Sequence, residues 1–88
     1  MIQDLVISEL KDRRLEQDKK WGSKRTIDYQ KVPRILGEEY GEVCRALNEE
    51  NPASFKDELK DCAAFCMATL EQIIKEEYGK KEDPFSVD

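Results

Sequence analysis

The residues best suited to chemistry are five acids in a repeated spacing: Glu38, Glu39 and Glu42, then Glu58 and Asp61. Glu39 and Glu42 stand three apart, as do Glu58 and Asp61, so on helices each pair shares one face. At about 100° per residue, Val32, Ile35, Leu36, Tyr40, Val43, Cys44 and Leu47 line one apolar face, and Glu39 falls inside it. Glu42 lies at the border of that face, with Glu38 one step further out. Phe55, Leu59, Cys62, Ala63, Phe65, Cys66, Leu70 and Ile73 form a second face, which contains Glu58 and has Asp61 just off its edge.

A buried, unpaired carboxylate costs on the order of several kcal/mol, so it must be protonated, paired or bound to metal. Four such groups on adjacent helices repel and push one another's pKa upward. A hard divalent cation resolves that conflict, because carboxylate oxygens are its preferred ligands. The plainer reading is of surface acids paired with Arg34, Arg45 or Lys60. It suits a lone E-x-x-E, but not two such pairs with acids intruding on two apolar faces.

The elements that must position these acids are helical. Residues 2–20 read as a first helix, with Ile2, Leu5, Val6 and Leu10 as a short apolar stripe ahead of a polar second half. Trp21-Gly22-Ser23 ends it, and 22–30 is a polar connection. A second helix begins near Lys31 or Val32, accepts Pro33 in its first turn and runs to about Leu47. Residues 48–52 are a turn in which Asn51 is the N-cap and Pro52 the first helical residue of a third helix. That helix is expected to run to Tyr78 and stop at Gly79, leaving 80–88, with Pro84, as a loose charged tail. No strand pattern and no internal repeat appears. The expectation is one all-α domain over 1–88 with three main helices, the second and third forming an antiparallel hairpin.

Composition narrows the function classes. Of 88 residues, 40% are charged and 39% hydrophobic, clustered at helical spacing, which fits a folded helical protein with solvated outer faces. A net charge of −5 argues against binding nucleic acid polymers and mildly against an anionic membrane surface. It leaves phosphorylated small molecules open, since a bound cation reverses the local sign. No stretch approaches the roughly 20 apolar residues of a membrane span, and the start does not read as a signal peptide. Cys44, Cys62 and Cys66 read as free thiols of a reduced cytoplasm. With no histidine and no second cysteine pair, zinc is set aside.

Ile35-Leu36-Gly37-Glu38-Glu39-Tyr40-Gly41-Glu42-Val43, with Asp57-Glu58-Leu59-Lys60-Asp61, resembles the E-E-x-x-E … E-x-x-D signature of MazG-like nucleotide pyrophosphohydrolases. These belong to the all-α nucleoside triphosphate pyrophosphatase superfamily. Upstream, Gln17-Asp18-Lys19-Lys20-Trp21-Gly22 is similar to a Q-D-x-K-W-G segment of small MazG-like proteins from bacteria and their phages. The resemblance implies helices that pair between subunits into a bundle, as a homodimer or tetramer. It implies Mg²⁺-dependent hydrolysis of a nucleoside triphosphate to monophosphate and pyrophosphate by attack of water on the α-phosphorus, with Mn²⁺ a possible substitute. Carried over, Glu39, Glu42, Glu58 and Asp61 would be metal ligands, with Glu38 and Glu39 the acids closest to the chemistry.

Trp21 has two readings: stacking on a nucleobase, which the resemblance favours, or capping a small core. Gln17 and Asp18 would line the same base pocket. Lys19, Lys20, Arg25 and Arg34 are candidates for contact with the triphosphate. Beyond Gly79 nothing matches the phosphate-contacting basic residues of longer relatives, so a neighbouring subunit would have to supply them. Two alternatives stand beside this reading. One is a non-catalytic helical module that binds nucleotides or a partner protein. The other is phosphoribosyl-ATP pyrophosphohydrolase, which shares the acid pattern but against which residues 17–22 argue.

Overall fold

The computed structural model of the chain describes residues 1–22 and 26–82, with side chains as far as 79. Three helices account for most of it: α1 (Ile2–Trp21), α2 (Val32–Asn48) and α3 (Pro52–Glu82), with a short 3₁₀ turn at Tyr29–Lys31 leading into α2. No strand occurs among the described residues. None of the helices is long and apolar enough to cross a membrane.

Local chemistry ends α1 and α2. Gly22, at φ 94, adopts the left-handed region that glycine enters without a Cβ clash, and its N–H returns to the carbonyl of Asp18 at 2.8 Å. The α2–α3 connection is a Schellman turn: Asn51 N–H bonds to Ala46 O, and Glu50 N–H to Leu47 O, both at 3.1 Å. Its left-handed position is filled by Glu50, at φ 52, where glycine is usual. Asn51 then caps α3 as expected, its Oδ1 accepting from Ser54 N–H at 3.1 Å.

α3 corrects the expected stop at Gly79. It continues to Glu82, because a glycine costs a helix only about 1 kcal/mol and Lys80, Lys81 and Glu82 are good helix formers. The expected loose tail therefore begins inside the helix, and residues 83–88 lie outside the described part.

Both α1 and α2 pack on α3. The residues buried where these helices meet are small: Ala46, Ala64 and Ala68, with Phe65 the one large side chain among them. α1 is held differently, by charge. Lys60 and Lys56 reach Glu9 at 3.1 and 3.3 Å, Arg13 reaches Asp57 and Asp61, and Arg14 reaches Glu71 at 2.8 Å. The connection before α2 docks through Gln72, whose amide accepts from Ile27 N–H at 2.7 Å and donates to Ile27 O at 2.8 Å. The apolar stripe of α1 ahead of these ties stays exposed, with Ile2 at 77% and Leu5 at 63%.

Candidate metal centre

Glu39 on α2 and Glu58 and Asp61 on α3 bring carboxylate oxygens within 4.8 Å of one another. The helical hairpin produces this convergence: each acid sits on or beside the face its helix turns toward the other. All three are half-buried, as is Glu42, whereas Glu38 is exposed.

Burial pushes the Glu39 carboxyl above its ordinary pKa, and the nearby charges of Asp61, Glu58, Glu42 and Glu38 push it further. Glu58 is raised for the same reasons, burial first and then Asp61, Glu42 and Asp57, with Arg13 acting in the opposite sense. Mutual repulsion of half-buried carboxylates is thus present in the folded chain. The cluster also reaches the neighbouring thiol: Cys62 is raised by burial, by Cys66 and by Glu39. The three cysteines are free.

The other predicted site residues are placed as follows. Glu42 is close enough to raise Glu39 and Glu58, but its carboxylate pairs with Arg45 of the same helix at 3.2 Å. Gln17 and Trp21 line a pocket of ≈ 250 Å³ together with Arg13, Glu16, Lys20, Glu39 and Asp61. Trp21 is 57% exposed, with Lys20 Nζ 4.9 Å from its ring centroid, so it faces the pocket and solvent rather than capping a core. The Oε1 of Gln17 is buried without a hydrogen-bond partner among the described residues. Asp18 is drawn to Arg14 at 3.1 Å and is not among the residues lining this pocket. Of the basic candidates only Lys20 lines the pocket; Lys19 and Arg34 are exposed elsewhere, and Arg25 lies outside the described residues.

Sequence reasoning missed Arg13 and Glu16. Arg13 donates to Asp61 Oδ1 at 2.6 Å and to Asp57 Oδ1 at 3.2 Å, and lies 3.4 Å from Glu16. The signal was available. Positions 2, 5, 6 and 10 of the α1 stripe continue at helical spacing through 13, 16, 17, 20 and 21, where the residues change from apolar to polar and aromatic.

The donor set suits a hard divalent cation. It consists of carboxylates alone, and two of them ionise against resistance that a cation would remove. Adjacent oxygens of a Mg²⁺ shell lie about 3.0 Å apart, so the three carboxylates would draw together to share one ion. Comparison with protein-family models, curated proteins and solved structures finds no match.

Proposed function

We propose that this chain is a Mg²⁺-dependent nucleoside triphosphate pyrophosphohydrolase, cytoplasmic and homo-oligomeric. One observation carries the reading: two of the three converging carboxylates, Glu39 and Asp61, line a pocket that also presents an aromatic ring, an amide and two cationic side chains. Glu39, Glu58 and Asp61 would hold the ion, with Glu42 within reach once it leaves Arg45. Bound there, Mg²⁺ would neutralise triphosphate charge and make water a better nucleophile.

The chain's own residues supply the rest. Trp21 offers a face for base stacking, worth about 1–3 kcal/mol where it occurs. Gln17 offers an amide to the base edge, and Lys20 and Arg13 offer positive charge to the phosphates. Water forms the new bond to the α-phosphorus while the bond to the bridging oxygen breaks, releasing pyrophosphate. With no histidine in the chain, a carboxylate is the natural proton acceptor; Glu39 would lie nearest the ion, and Glu38 would bind a further ion or help orient the water.

Incubation with each ribo- and deoxyribonucleoside triphosphate and Mg²⁺, followed by separation of products, tests the proposal. Monophosphate plus pyrophosphate is the expected pair. No turnover of any nucleotide would refute the enzyme reading. A second reading, a nucleotide-binding module without catalysis, is favoured by the Arg13–Asp61 pair, which already neutralises one of the three acids. Under that reading nucleotides raise the Tm while no product forms.

A further inference from the structure

Arg13 is shared by the acidic cluster and the pocket. Its side chain is 17% exposed, and its guanidinium is fixed at 2.6 Å from Asp61 and 3.2 Å from Asp57, at one edge of the three carboxylates. Glu39 and Glu58 have no ion pair among the described residues, so Arg13, through Asp61, is the one cation among them paired with any of the three. A guanidinium cannot relieve that charge by losing its proton, so it must stay or move.

We propose that Arg13 is the resident counter-charge of the cluster, and that it competes with a divalent cation for Asp61. The inference rests on reading the cluster as a metal centre. An entering ion takes the Asp61 oxygen, and the guanidinium keeps Asp57 and Glu16 while the one N–H freed from Asp61 turns to the pocket that Arg13 already lines. Loading the cation therefore exposes a phosphate-binding group that the unloaded chain holds occupied. Arg13 acts here as a competitor of the ion and a binder of phosphate, not as a ligand of the ion.

Arg14 provides an internal control. It makes a similar α1–α3 tie, to Glu71, and pairs with Asp18 of its own helix, but touches none of the three acids.

Titration of the full chain with Mn²⁺, followed by the loss of the free-ion paramagnetic resonance signal, reads the competition. Arg13→Met is expected to bind Mn²⁺ roughly tenfold more tightly than the parent, the scale of one lost charge-assisted bond. Arg13→Lys, which keeps the charge but not the planar fork, should show a smaller gain, and Arg14→Met should stay within about twofold of the parent. If Arg13→Met fails to fold, as judged by its helical circular dichroism, Arg13→Lys carries the comparison. Equal or weaker Mn²⁺ binding in the folded Arg13 variants overturns the competition while leaving the metal centre standing. No Mn²⁺ binding in any of the chains overturns both.

Discussion

Glu39 and Glu58 ionise against burial and against neighbouring acids, so both have folded pKa values above those of the unfolded chain. A raised carboxyl pKa destabilises the fold as pH rises from the unfolded value through the folded one, and the penalty is fully present above both. In chelator, the Tm is therefore expected to rise as pH falls from neutral toward the ordinary carboxylate range, and Glu39→Gln should flatten that slope. Glu9 works in the opposite sense: Lys60 and Lys56 hold its pKa down, so its contribution is lost only at lower pH, as it passes through its depressed value. A Tm that falls steadily in chelator as pH falls from neutral toward the ordinary carboxylate range would contradict this assignment. The convergence of Glu39, Glu58 and Asp61 was legible in the sequence because helical periodicity alone places acids on apolar faces. The same periodicity places Arg13 on the continued α1 face, but its pairing with Asp61 was not legible, since that partner lies 48 residues away and no local pattern says which arginine will cross between helices.

At the scale of elements, the sequence marked three helices and both turns, because Gly22, Asn51 and Pro52 each act through local geometry. It misplaced the end of α3, where a glycine signal competes with strong neighbouring helix formers and loses. The α2–α3 turn carries a feature that no periodicity reveals: Glu50 occupies the left-handed position of the Schellman motif. A side chain there costs about 1 kcal/mol that glycine does not. Glu50→Gly should accordingly stabilise the chain by about 0.5–1 kcal/mol in urea unfolding. A loss of stability in that variant would show that Glu50 makes a contact outweighing its backbone strain.

At the scale of the whole molecule, the chain is extended. Its radius of gyration is 15.9 Å, against about 12 Å for a compact domain of this length. α3 alone spans about 46 Å at 1.5 Å per residue, longer than either helix packed on it. Leu5, Leu59, Leu70 and Ile74 are among the apolar side chains left open, while the buried residues among those described are three alanines and Phe65. A core so small is marginal by itself, which motivates the proposed homo-oligomer. Sedimentation equilibrium is expected to give a mass of at least two chains, and the Tm to rise with protein concentration. A monomer with a concentration-independent Tm would remove that proposal. The cation should likewise act on the whole fold, adding about 2.7 kcal/mol at a hundredfold excess over Kd. The most direct test of the metal centre is the Mg²⁺ affinity of the parent against Glu39→Gln and Glu58→Gln, by calorimetric titration. Saturable binding that both substitutions abolish or weaken at least tenfold is the predicted result; variants that bind Mg²⁺ as well as the parent would contradict it.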